Sequence, residues 1–305
     1  MPTILNFGSC CIDNVYQVPR FVSPGETLPC SDYQIHAGGK GLNQSVALAH
    51  AGANVMHAGR LGKDGIWMIS LLQEAGVDTS GIEIVDIPCG HAIIQVTPNG
   101  DNAIVIYGGA NKSLVLENIT KPLAQTRDGD FLLIQNEMNL TGELIERASH
   151  KGLRIVFNAA PITEEVFSYP LDKIEVFIVN EFEAQALTGE SEPEGALDVM
   201  LQKFPEARTV LTLGGLGAVY ADRQSRLQYP AFDVKALDST GAGDTFTGYF
   251  LAAFAEGKSI EYCLSNACKA AALCVTRPGA AASIPRLHSV ERTQLKIRTT
   301  LTLVN

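Results

Sequence analysis

The chain has 305 residues, 46% of them hydrophobic, and 23 lysines and arginines against 33 aspartates and glutamates give a formal charge of −10. That length and apolar content suit one large core, and the acidic balance argues against a nucleic-acid surface. No run approaches the ~20 apolar residues of a membrane span and the N-terminus enters an apolar strand directly, so a cytoplasmic protein that binds neither nucleic acid nor membrane is expected.

In chain order, residues 4–7 read as a buried strand. A glycine-rich turn, Gly38-Gly39-Lys40-Gly41-Leu42-Asn43-Gln44, then opens a helical stretch over 42–51. Strands are expected at 55–59, 131–134, 154–157, 176–179 and 209–213, each short, apolar and without alternation, as buried parallel strands are. Helical patterns at 141–151 and 181–187 separate them, which predicts an α/β fold with a doubly wound, mostly parallel sheet flanked by helices. Segments 13–35 and 87–107 break the alternation. They read as extended pieces, the second with a hairpin at 92–97 and 102–107 around Pro98-Asn99-Gly100-Asp101, and predict a small sheet beside the main one. No linker or repeat interrupts the chain, so residues 1–305 are expected to form a single domain. Seven cysteines, at 10, 11, 30, 89, 263, 268 and 274, include no Cys-x-x-Cys pair and read as free thiols.

The most informative run is Asp238-Ser239-Thr240-Gly241-Ala242-Gly243-Asp244-Thr245-Phe246, where an extended segment turns into an apolar helical pattern. Exposed N–H groups at a helix start, the positive end of its dipole and small residues together suit a phosphate. A carboxylate beside an anion site is explained if Asp244 takes a proton from a group attacking that phosphate. On the residues alone, Asp244 also reads as an acid that favours the helix dipole. Neither a Gly-x-x-x-x-Gly-Lys-Ser/Thr run nor a complete Gly-x-Gly-x-x-Gly fingerprint is present, so a P-loop or dinucleotide enzyme is not expected.

The two glycine-rich runs, taken in order, resemble the two signatures of ribokinase-like sugar kinases, the phosphofructokinase B type, and are nearest to the ribokinase branch. The resemblance extends from Gly8 to Pro285 through Pro24-Gly25-Glu26-Thr27, Gly108-Gly109-Ala110-Asn111, Asn180-Glu181-Phe182-Glu183, Thr212-Leu213-Gly214-Gly215 and Val275-Thr276-Arg277-Pro278-Gly279-Ala280. It implies an ATP-dependent kinase acting on a primary hydroxyl of a pentose or ketohexose, such as ribose or fructose. A nucleoside kinase of the same fold and a non-catalytic sugar or nucleotide sensor are the alternatives.

By the same resemblance, Asp244 is the base and the amides of Gly241, Ala242 and Gly243 form an anion hole. Asp13, Gly39, Lys40, Asn43 and Glu137 contact the sugar. Asn180 and Glu183 act near the triphosphate and Mg²⁺, and Thr212, Gly214, Gly217 and Cys268 lie at the nucleotide. Asp238, Thr240, Arg277, Gly279 and Ser283 align with segments that enclose K⁺ in many members. The small sheet is implied to be a lid, and a homodimer through that lid is expected. Read without the family, Asp13 is also a strand-end turn residue, and Glu181 and Glu183 are first-turn helix acids. One departure concerns the sugar. Ribokinases usually read Gly-Ser-x-Asn-x-Asp where this chain has Gly8-Ser9-Cys10-Cys11-Ile12-Asp13, so a thiol that donates and accepts poorly replaces an amide that does both.

Overall fold

Residues 131–134, Phe-Leu-Leu-Ile, are apolar at every position because both faces of the strand they form are covered. Phe131 and Leu133 enter one core while Leu132 and Ile134 enter another on the opposite face, as the two-residue period of a strand requires. The computed structural model describes residues 2–298. In chain order its strands are β1 (Thr3–Phe7), β2 (Cys11–Gln17), β3 (Asp32–Gly38), β4 (Asn54–Gly62), β5 (Asp78–Val85), β6 (Gly90–Val96), β7 (Asn102–Tyr107), β8 (Phe131–Gln135), β9 (Arg154–Asn158), β10 (Val176–Asn180), β11 (Arg208–Thr212), β12 (Ala218–Ala221) and β13 (Arg226–Tyr229). Its α-helices are α1 (Lys40–His50), α2 (Trp67–Ala75), α3 (Leu116–Ala124), α4 (Thr141–His150), α5 (Glu181–Thr188), α6 (Pro193–Lys203), α7 (Ala242–Ala255), α8 (Ile260–Cys274) and α9 (Leu287–Arg292).

Nine strands form the main sheet in the order β13-β12-β11-β10-β9-β8-β1-β4-β5. It is parallel from β11 to β5, and only the β11–β12–β13 meander at one edge is antiparallel. Helices α1, α2, α7 and α8 pack on one face and α3 to α6 on the other, which is the expected doubly wound arrangement. The second sheet, β3-β2-β6-β7, takes its strands from both segments that broke the alternation and reaches slightly beyond them, from Cys11 and to Gly38. Its β6–β7 pair is the expected antiparallel hairpin, and β2 pairs with β6 in parallel.

Helices α1 and α7 touch at a point where only a hydrogen atom fits. A Cβ on Gly248 of α7 would stand 2.4 Å from the Cβ of Ala47 on α1, so glycine is what lets the two helices approach there. One turn earlier on each helix, the same contact brings Asn43 and Gln44 against Asp244.

Candidate active site

Asp244 lies in the first turn of α7, behind Gly241, whose φ of 76° turns the chain into the helix. It is buried, and neutral donors hold both of its oxygens. Asn43 Nδ2 donates to Oδ2 and Gln44 Nε2 to Oδ1, each at 2.9 Å. Lys40 opens α1 beside them. Burial pulls its ammonium down, but Asp244, Glu137 and Glu183 outweigh that and hold it above its ordinary value, so it stays charged. Glu137, just past the end of β8, accepts from the Lys40 backbone N–H at 2.9 Å and from the Ser9 hydroxyl. Asp13 stands on β2 against Gly38, where any Cβ would collide with its carboxylate. Burial, and then the charge of Glu137, pushes the Asp13 carboxyl up to about 6. Cys11 accepts from Asn111 Nδ2 at 3.4 Å, and burial keeps its thiol protonated, with Glu137 and Asp13 adding to the effect.

On the other side of the α7 start lies a cavity of about 360 Å³. Thr212, Gly214, Gly217 and Cys268 line it together with Ala242 and Gly243, so the residues expected at the nucleotide and the helix start expected at the phosphate border one space. Its floor is mostly apolar, with Phe246 and Ala272 among its walls. Of the three amides expected to form an anion hole, that of Ala242 donates to Ser239 O at 3.2 Å. Gly243, as the second residue of the helix, has no intrahelical acceptor for its N–H. A carboxylate held by amides, a lysine and an open helix N-terminus therefore meet beside an apolar cavity.

The model of the pfkB family carbohydrate kinases matches residues 1–287. The chain belongs to that family. The kinase is 38% identical over 296 residues to a ribokinase of Haemophilus influenzae, an alignment covering 93% of this chain and 95% of that one. Among solved structures, a ribokinase from Cryptococcus neoformans var. grubii serotype A in complex with ADP superposes with a TM-score of 0.85 at 33% identity, covering 95% of this chain and 99% of that one. The ribokinase of Arabidopsis thaliana complexed with ribose and ATP gives 0.83 at 28% identity, over 95% and 98%.

The remaining expected residues of the kinase fall in three places. Asn180 and Glu183 form a capping box at the start of α5: Glu183 N–H donates to Asn180 Oδ1 at 2.8 Å, while Glu183 Oε2 and Oε1 accept from Asn180 N and Nδ2 at 3.0 Å each. Both residues thus have a local structural role. The nearness of Glu183 to Lys40 and Asp244, whose charges act on it, brings it toward the site as well. Asp238 ties two loops together, accepting from Thr240 N at 2.9 Å and Gly279 N at 2.8 Å. Ser283 is buried beside them with its hydroxyl on Ala280 O, whereas Arg277 is exposed. Gly39 is the N-cap of α1 and takes φ 93°.

Several residues around the site are not among those expected from the sequence. Ser9 contacts Glu137 and Asn111 contacts the Cys10 backbone, while Gln44, Asn6, Gln135 and Asn158 lie behind Asp244. The signal for the last three is a polar residue within or closing an otherwise apolar strand, at positions 6, 135 and 158.

Proposed function

We propose that this kinase transfers the γ-phosphoryl group of ATP to a primary hydroxyl of a pentose, ribose or deoxyribose ahead of a ketohexose, with Asp244 as general base. The observation that carries this reading is the position of Asp244. It lies in the turn whose Ala242 and Gly243 line the apolar cavity, while its carboxylate faces Asn43 and Gln44 of α1 in the glycine-rich segment that also carries Lys40. The similarity to ribokinases, one of them complexed with ribose and ATP, supports the choice of pentose and donor.

In this reading Asp13 accepts hydrogen bonds from sugar hydroxyls, and Gly39, Lys40, Asn43 and Glu137 complete the sugar pocket. An alcohol is far too weak an acid to give its proton to a carboxylate beforehand, so the hydroxyl proton passes to Asp244 as the phosphoryl group moves. The Gly241 and Gly243 amides and the Lys40 ammonium face the charge that develops on the migrating group, while the Ala242 amide joins them only if it leaves Ser239 O. Thr212, Gly214, Gly217 and Cys268 hold the nucleotide base and ribose. The sheet formed by β2, β3, β6 and β7, within segments 13–35 and 87–107 and their flanks, covers the sugar as a lid on the single domain.

Magnesium fits this arrangement as an ion carried by the phosphates. No group of three or more His, Cys, Asp or Glu side chains placed to hold a metal occurs among the described residues, and both Glu183 oxygens are engaged with Asn180. Asn180 and Glu183 would then meet Mg²⁺ through water, as it prefers, and the ion would neutralise phosphate charge. For potassium, the Asp238 carboxylate, the Thr240 and Gly279 loops and the Ser283 hydroxyl supply the oxygens a hard cation takes. Exposed Arg277 would contribute through its carbonyl. Turnover that is equal in sodium and potassium buffers would remove potassium from the reading.

A second copy of the chain is the proposed partner of the lid. On β7, an edge strand, Val105 and Ile106 point to opposite faces and are 67% and 71% exposed, so neither face of that edge is covered by this chain. Sedimentation should find a dimer, and Val105→Lys should yield a monomer.

The deciding experiment is ADP release with Mg·ATP across ribose, deoxyribose, fructose and nucleosides. Saturable turnover with ribose or deoxyribose is expected. Turnover confined to nucleosides, or to fructose, would overturn the pentose assignment, and silence across the panel would overturn the base and donor roles together.

A further inference from the structure

Behind Asp244 the core contains a set of amides that packing does not call for. Gln44 is fully buried, and every polar atom of its amide is used. Its Nε2 donates to Asp244 Oδ1 and to Asn158 Oδ1, each at 2.9 Å, and its Oε1 accepts from Gln135 Nε2 at 2.7 Å. Gln135 Nε2 spends its second hydrogen on Asn6 Oδ1 at 2.9 Å. Asn6 Nδ2 in turn donates to Gly41 O and Ser45 Oγ at 2.7 Å, and Asn158 Nδ2 to Ile178 O at 2.9 Å. Asn6, Gln135 and Asn158 come from β1, β8 and β9, three neighbouring strands at the centre of the main sheet.

We propose that Gln44 is a positioning residue for the base, and that Gln135 and Asn158 lock its amide so that it can only donate to Asp244. This inference rests on the reading of Asp244 as the base. A glutamine amide can turn over, and if this one did, its oxygen would face the carboxylate and repel it. Gln135 prevents that by offering a hydrogen where the Gln44 oxygen must sit, and Asn158 by offering an oxygen to the second Gln44 hydrogen. Polarity therefore runs one way, from Gln135 through Gln44 to Asp244.

The choice of neutral donors matters to the chemistry. An ionised carboxylate has about four lone-pair sites, and Asn43 and Gln44 take one on each oxygen, leaving one on each for the sugar hydroxyl. A cation in the place of Gln44 would hold the carboxylate as firmly but reduce its basicity more. An apolar side chain there would leave Oδ1 desolvated and the carboxylate free to turn.

The test is a substitution cycle on the full chain: wild type, Gln44→Met, Asp244→Asn and the double variant. The readouts are kcat, sugar KM, the pH profile of kcat and the thermal midpoint. Gln44→Met should lower kcat about 30-fold with sugar KM within about threefold. It should also move the acid limb of the kcat profile to higher pH, because a carboxylate that has lost a donor protonates more readily. In the Asp244→Asn background the same substitution should change the residual turnover by less than about threefold, since it acts through that carboxylate. An unmoved acid limb, or an equal loss of kcat in both backgrounds, would show that Gln44 only holds the fold together and would overturn the proposal. Near-normal turnover of Asp244→Asn would instead overturn the base assignment. Should Gln44→Met not fold, Gln135→Met carries the test. It retains the Gln44 donor but unlocks its amide, so kcat should fall about five- to tenfold with the same movement of the acid limb, and an unchanged profile would overturn the lock.

Discussion

The two sides of the cleft are made of different material. On the acceptor side the groups that meet at Asp244 are long, polar and fixed by one another: Asn43 and Gln44 on its oxygens, with Lys40 and Glu137 beside them. On the proposed donor side the wall is mostly apolar and rich in glycine and alanine, with Phe232, Phe246, Val234, Val275 and Cys268 among them and Thr212, Ser239 and Arg298 as its polar side chains. In the proposed reading the difference follows from what each side must hold. A proton acceptor has to be placed within a hydrogen-bond length and an angle, whereas a purine-sized group needs width and an apolar floor. Acceptor-side substitutions should therefore act on kcat or sugar KM steeply, and donor-side ones shallowly and on the nucleotide.

The sharpest break of that contrast is Asp244→Asn, which should lower kcat by on the order of 10³ or more while the thermal midpoint and sugar affinity stay near wild type, measured by coupled ADP release and calorimetry. Next is Asp13→Ala, which removes a charged acceptor and should raise sugar KM about 10- to 100-fold with nucleotide KM unchanged, in the same assay. The Asp13 carboxyl, lifted to about 6, adds a pH signature that the donor side should lack. Ionised Asp13 is the form that accepts hydroxyl hydrogens, so sugar KM should rise as pH falls through about 6 while nucleotide KM does not follow. Ligand-free stability moves the opposite way. A carboxyl raised above its free value of 3.8 contributes stability below that pH, and this contribution is lost as pH climbs through about 6. Gly248→Ala separates α1 from α7 and should destabilise the fold by about 1–3 kcal/mol in denaturant titrations, with kcat falling because Asn43 and Gln44 move with α1. The smallest effect is expected at Cys268→Leu. By filling part of the donor cavity it should raise ATP KM about three- to tenfold and leave sugar KM alone, and a larger change in sugar KM would erase the distinction between the two sides.

Strands buried on both faces carry a mostly apolar signal, so β1 and β8 to β11 were legible within a residue, while β4 runs three residues past the expected 59, to Gly62. The helix starts were legible because glycine marks turns that other residues resist, and Gly39 and Gly241 do take positive φ. What could not be read was which side chains meet. Asn43 and Asp244 stand 201 residues apart in the chain, and nothing local to either points to the other. Asn6, inside an apolar strand, read as part of the hydrophobic run, though a buried amide has to find partners. Asn180 and Glu183 show the opposite difficulty, since the capping box they form satisfies the local pattern completely and hides any second role behind it.

The first strand made is not an edge of the finished sheet: β1 lies between β8 and β4, deep in the order. On a ribosome, β1, β4 and β5 can pair early, yet one side of β1 stays open until residues 131–135 emerge, and the amide donors of α1 lack their carboxylate until α7 is made. The proposed base and the α8 wall of the cavity are thus among the last parts this polypeptide gains during synthesis. A nascent chain released before α7 would have every described strand of both sheets and lack the proposed base, with Asn43 and Gln44 short of their carboxylate partner for a quality-control protease or chaperone to find.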